Sequence, residues 1–218
     1  EVGKALNGLF DLTEAAALLV LNTNEVLFYK YTGFISAEDL LPNLKEIDKQ
    51  IANYPNWQRG GANGDLEKID WLSFLLIEQQ NGRVNPSSPI VRDVSSLLDS
   101  SDFEKPVTQQ FTSLLGIDID NPIFQTLKRN PELLKENDYF SWDVYFQTVF
   151  DYNIFRAIAL EDSVFLEDVL FQLKQLPNDS IVPNIDLKGR QIYLAELSKW
   201  SSYDTITLIY LNEFEPDS

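Results

Sequence analysis

The sequence predicts a mainly α fold: an irregular multi-helix domain with, at most, a small two- or three-stranded β-sheet. Eight or more segments carry apolar residues at three-four spacing or a recognisable helix cap, and only two read as strands. Pro106, Pro122 and Pro131 each stand near the start of such a segment, where the first turn has no use for the missing N–H.

Residues 2–22 place Leu6, Leu9, Phe10, Thr13, Ala17 and Val20 on one face and predict a helix that Asn22-Thr23-Asn24 ends. Its most apolar part, from Leu9 to Leu21, contains Asp11 and Glu14. It falls short of the ~20 apolar residues a membrane span requires, so it predicts core. Residues 25–31 are rich in aromatics and predict a strand, or a continuation of the helix, ended by Gly33. Ser36 and Asp39 resemble a capping box and open a helix over 37–54, with Leu40, Leu41, Leu44, Ile47 and Ile51 on one face. Pro42 draws the expected first turn toward Leu41.

Residues 54–64, from Tyr54 through Pro55, Gly60 and Gly61 to Gly64, read as a loop. A helix follows from Asp65 to Asn81, closed by Gly82. The stretch from Asn81 to Pro89 has linker composition. The expectation is one domain over 1–218, with 82–89 as the place for a division into two lobes. Shorter helices are expected at 90–99, 105–115, 121–129 and 131–136.

Ser141 caps an aromatic helix over 142–160 with two apolar faces, Trp142, Phe146, Val149, Phe150 and Ala157 on one and Val144, Thr148, Tyr152 and Phe155 on the other. Such a helix is expected to be buried centrally, although the alternation Trp142, Val144, Phe146 also permits a strand. Ser163 caps 164–176, Pro177 stops it, and a helix follows at 188–200. Residues 205–211 are β-branched and predict a strand, so the sheet is expected to pair 25–31 with 204–212.

Chemistry is bounded first by absences. The 218 residues contain no Cys, His or Met. That removes thiol nucleophiles, disulfides, imidazole bases and imidazole or thiolate metal ligands. With no histidine, unperturbed side chains keep their charge between about pH 6 and 8. The chain carries 34 acidic and 17 basic residues, a net charge of −17. The bases are scattered, with only Lys128-Arg129 adjacent, so neither nucleic acid nor an anionic membrane is an expected partner. Hydrophobic residues at 44% are too many for a disordered chain. The absence of cysteine leans toward an extracytoplasmic setting (periplasmic, lumenal or secreted).

Four motifs bear on chemistry. Arg59-Gly60-Gly61-Ala62-Asn63-Gly64 precedes a helix, but it lacks a GK[ST] or GxGxxG pattern, and Asp65 would repel a phosphate. Asp118, Asp120 and Asn121 cluster oxygen ligands, but the spacing is not that of a calcium loop, and Asn121-Pro122 reads as a cap. Glu136/Asp138, Glu161/Asp162 and Glu167/Asp168 are local carboxylate pairs that solvated helix faces explain. Asn178-Asp179-Ser180 is a glycosylation triplet. No cofactor or metal site is expected.

Trp57, with Tyr54 and Arg59, stands in the predicted loop, and these residue types are enriched at binding hot spots, so the three are the expected partner-binding residues. The competing reading places Trp57 over the core edge. The function expected is a non-catalytic acidic interaction or scaffold domain, the soluble part of a membrane-tethered or secreted protein, facing a protein partner of basic character. Two alternatives stay open: a hydrolase using paired carboxylates on a glycan-type substrate, and an acidic inhibitor or immunity-type protein that neutralises a basic partner.

Overall fold

The computed structural model describes residues 17–32, 36–133, 141–175, 185–199 and 202–206. Among them helix dominates, with one two-stranded antiparallel sheet. The chain forms two compact units, Glu1–Asn85 and Pro86–Ser218.

In the first unit β1 (Ala17–Leu21) pairs with β2 (Leu27–Thr32), running from Ala17 opposite Thr32 to Leu21 opposite Leu27. This corrects one expectation: residues 17–21 are strand rather than the end of a helix, and they pair with β2. The expected pairing of 25–31 with 204–212 rests on 207–212, which lie outside the described residues. Five consecutive apolar residues satisfy either period, and the turn decides between them. Asn22 Oδ1 accepts from Asn24 N at 2.9 Å and Val26 N at 3.0 Å, and Glu25 takes a left-handed φ of 61°. The chain is thereby folded straight back, and pairing with the nearest strand has a small loop-closure cost. Thr205 and Ile206, expected in a strand, lie in a helical turn, while 207–212, 1–16 and the triplet at 178–180 lie outside the described residues.

The helix α1 (Ala37–Asn63) starts where Ser36 accepts from Asp39 N at 3.1 Å, before Pro42 rather than at Leu41. It then runs through Pro55 and absorbs the segment expected to be a loop, ending at Gly64 with φ 77°. Asp65 N donates to Gly60 O at 2.9 Å, closing the last turn. Packing is the reason. Ile47, Ile51, Tyr54 and Trp57 continue one stripe, and the core of this unit gathers Val26, Phe28, Ile47, Tyr54, Trp57 and Ile77. The glycines serve close approach instead of a loop. A Cβ on Gly60 would collide with Leu66, and one on Gly61 would stand 3.1 Å from Phe74, so only glycine lets α2 (Lys68–Gln80) approach this closely.

Two polar clamps complete this core. Asn81 donates to Leu27 O at 2.9 Å and Ile77 O at 2.7 Å and accepts from Leu27 N at 2.9 Å, joining the start of β2 to the end of α2. Tyr54 OH donates to Glu78 at 2.5 Å and accepts from Arg83 at 2.9 Å. Burial, and then the Glu78 carboxylate, push the Tyr54 hydroxyl up to about 12, with Arg83 pulling the other way.

The second unit contains α3 (Pro89–Ser95), a 3-10 turn at Ser100–Glu104, α4 (Pro106–Leu114), α5 (Pro122–Arg129), a 3-10 turn at Pro131–Leu133, α6 (Trp142–Ala159), α7 (Ser163–Lys174) and α8 (Ile185–Glu196). Helices α6, α7 and α8 pack on one another. Residues 142–146 are helical, not strand, and Ser141 caps them by accepting from Val144 N at 3.2 Å. Asp162, rather than Ser163, caps α7, accepting from Val164 N and Phe165 N at 3.0 and 2.9 Å; its carboxylate also suits the positive end of the helix dipole. Gly189 brings α8 against Leu170 and Ile154, which a Cβ would meet at 2.6 and 3.2 Å. Among the described residues no helix is long and apolar enough to cross a membrane.

Trp57→Ala should destabilise the first unit by about 3–5 kcal/mol, the range for removing a buried large aromatic. Calorimetry of the full chain reads this as a melting transition that drops by several degrees or more. An unmoved transition would mean that Trp57 is not core. The Tyr54 lock predicts alkaline sensitivity. Its hydroxyl holds its proton longer in the folded chain than in the unfolded chain, so its contribution is intact below about pH 10 and fades as pH climbs toward 12. Urea midpoints measured across that interval should fall less in Tyr54→Phe than in the parent.

Candidate interaction surface

The segment 115–119 is irregular yet buried, from Leu115 at 0% exposure to Asp118 at 1%. Its polar atoms therefore need protein partners, and α6 supplies several of them. Tyr145 OH donates to Gly116 O at 2.8 Å. Asn153, itself fully buried, donates to Ile117 O at 2.8 Å and accepts from Ile119 N at 3.2 Å. Gln125 Nε2 reaches Ile119 O at 2.8 Å. The Asp118 carboxylate receives Arg156 Nη1 at 2.9 and 2.8 Å, Ser87 Oγ at 2.5 Å and Asp120 N at 3.0 Å. Ser87 also meets the Tyr152 hydroxyl at 2.7 Å, and the Arg156 guanidinium lies 4.5 Å over the Phe165 ring. Asn121 caps α5, accepting from Ile123 N at 2.8 Å. The oxygen cluster at 118–121 thus has structural employment.

The carboxylate pairs that the sequence offered fall into similar roles. Asp162 caps a helix, Glu167 receives Arg190, and Asp168 accepts from Gln172 at 3.0 Å. Burial works against charge on Asp186, but hydrogen bonding from Lys174 and the Arg190 charge outweigh it and hold this carboxyl below its ordinary range. Glu136 and Asp138 lie outside the described residues.

Of the expected partner-binding residues, Tyr54 and Trp57 are core, at 2% and 6% exposure, and neither can meet a partner without opening the unit. Arg59 is exposed and holds Asn56 on its own helix at 2.6 Å. They share the end of α1 but do not form an outward cluster.

The outward apolar surface lies elsewhere. The five most exposed large apolar side chains among the described residues are Val144, Phe155, Leu160, Val164 and Phe171, at 57% to 78%. All five fall on α6, α7 or the short turn between them. Val144 and Phe155, eleven residues apart, share the α6 line opposite its buried stripe; Val164 and Phe171, seven apart, share the equivalent line of α7. This corrects the central burial expected for α6. Its first apolar face is core, but the face containing Val144 and Phe155 points to solvent, with Thr148 and Tyr152 only partly covered. The signal was legible as a second apolar stripe and was misread as a second buried one.

Charge surrounds these side chains. From Trp142 to Lys174 there are six acids, Asp143, Asp151, Glu161, Asp162, Glu167 and Asp168, and two bases, Arg156 and Lys174. Arg156 is turned inward to Asp118, Lys174 is held by Asp186, and Glu167 is paired with Arg190. The hairpin therefore presents apolar side chains in a negative field.

Asp118→Asn should destabilise the second unit by about 2–4 kcal/mol, somewhat under the range for breaking a fully buried pair. The discount reflects Arg156, whose side chain is 26% exposed against 2% for Asp118. A urea titration followed by tyrosine and tryptophan fluorescence measures it, and an unchanged midpoint would show that the pair contributes nothing net. Comparison with protein-family models, curated proteins and solved structures returned no match.

Proposed function

We propose that this chain is a non-catalytic, acidic protein–protein interaction module whose docking face is the outer side of α6 and α7. One observation carries the reading: the five most exposed large apolar side chains among the described residues gather on two consecutive packed helices. Scattered exposed leucines are ordinary, but concentrated apolar exposure is the mark of an interaction surface. Phe155 and Phe171 are the anchors, since aromatic side chains bring large contact area at small entropic cost. The rigid helices beneath them hold both in place, because α6 is fixed to the buried 115–119 segment by Tyr145, Asn153 and Arg156.

The test is a photo-crosslinking amino acid placed in turn at Phe155, at Phe171 and, as a control, at the exposed Gln110 of α4. In native extract, positions 155 and 171 should give the same discrete crosslinked species and position 110 should not. Equal labelling at all three, or none at any, would remove the reading.

A further inference from the structure

We infer that the occupant of the α6–α7 face is a basic amphipathic α-helix contributed by another protein. The inference rests on the docking reading above and names the partner's chemistry. Charge complementarity selects a cation-bearing partner, because α6, α7 and the turn between them carry six acids against two bases, Arg156 and Lys174, each held by an acid outside the hairpin. Nucleic acid and anionic lipid are repelled by the same field. A second copy is disfavoured as well. The second unit carries 22 acidic and 10 basic residues, a net charge of −12, so two such faces would meet like to like.

Geometry selects a helix. Val144 and Phe155 are separated by about 16 Å along α6, and Val164 and Phe171 by about 10 Å along α7. These are spans of three turns and two turns. The apolar stripe of one amphipathic helix, with residues at i, i+3, i+4 and i+7, matches spacings of this kind, as in helix-on-helix recognition generally. Exposed Asp143, Glu161 and Asp168 and half-buried Asp151 flank the apolar side chains, where Lys or Arg on the partner's polar margin would meet them. Neither ingredient suffices alone. Charge sets encounter and salt dependence, and apolar burial sets residence.

The experiment uses the full chain and three labelled peptides of about 18 residues, long enough for five turns. One carries Leu at helical spacing with Lys elsewhere, the second the same Leu positions with Glu elsewhere, and the third Lys with Ser in place of Leu. Fluorescence anisotropy should show the Leu/Lys peptide binding about tenfold or more tighter than either control, a difference set by the loss of one well-buried anchor or its charge match. The affinity should fall several-fold between about 50 and 500 mM salt as the Debye length shortens. It should fall about tenfold in Phe155→Ser/Phe171→Ser, both exposed positions where the fold does not depend on the ring.

Equal binding of the Leu/Glu peptide would overturn the basic character while leaving the face a docking surface. Binding of the Lys/Ser peptide as tight as that of Leu/Lys, and indifferent to the double substitution, would overturn it as simple polyanion behaviour. If no peptide binds while 155 and 171 still crosslink specifically, the partner is not a basic helix. If the chain sediments as a dimer that the double substitution dissociates, the occupant is a second copy and the inference falls.

Discussion

A buried stretch of irregular backbone is the constraint on which the second unit depends. Helices satisfy their own N–H and C=O groups; residues 115–119 do so only in part, through the end of α4 and the Asp118–Asn121 turn, and they lie out of reach of water. Each unpaired group there would cost about 1–3 kcal/mol. The sequence meets this with α6. Tyr145, Asn153 and Arg156 recur along the side of that helix that faces the segment, each placing a donor on it. The orientation of α6 about its own axis is thereby set by polar contacts as well as by the apolar stripe. Once that rotation is fixed, Val144 and Phe155 must point outward, because they stand on the opposite line. The exposed face follows from satisfying the buried one.

The pairing of Asp118 with Arg156 adds an electrostatic consequence. A buried carboxylate requires a cation or several donors, and Asp118 takes both, from Arg156, Ser87 and the Asp120 amide. Of the two bases of the α6–α7 hairpin, Arg156 is thus drawn toward the interior and Lys174 is held by Asp186, so the six acids leave the hairpin net negative. The first unit resolves a similar problem on a smaller scale. Tyr54 is buried to bring its ring against Phe28, at 5.2 Å and nearly perpendicular, and its hydroxyl is then closed by Glu78 and Arg83. Asn81 does the same for the open end of the hairpin.

The sequence made the helical class legible, since caps such as Ser36, Asn121 and Ser141 and the prolines at helix starts are local signals that local structure obeys. It misled where tertiary contact overrode a local cue. Pro55 and three glycines spell a loop, yet 54–63 is helix, because Tyr54 and Trp57 extend the stripe of Ile47 and Ile51, and because Gly60 and Gly61 are needed for approach to Leu66 and Phe74. The stripe's spacing, not the loop-like composition, decides the local structure here. Likewise 17–21 suits a helix or a strand until the Asn22 turn is considered. For the site, Trp57 attracted attention by residue type, whereas Val144 and Phe155 appeared only as the second face of an apolar helix. Sequence alone does not say which of two apolar stripes meets the core. The answer came from Asn153 and Tyr145, whose hydrogen-bonding needs identify the inner side.

The same charges oppose self-association of such a face. Large apolar side chains exposed on rigid helices invite self-association, which depends on two like faces meeting. Here each face carries acids beside the apolar groups, so contact between copies adds repulsion to any burial gained. The penalty is selective. It opposes another copy of this chain, where charges coincide, and it turns into attraction for a partner with the opposite sign in the same positions. An apolar patch without the carboxylates would be sticky toward everything, and carboxylates without the patch would bind weakly and without register. On the proposed reading, the two held together on α6 and α7, with Arg156 drawn inward, would make an anchor whose specificity comes from the charges around it.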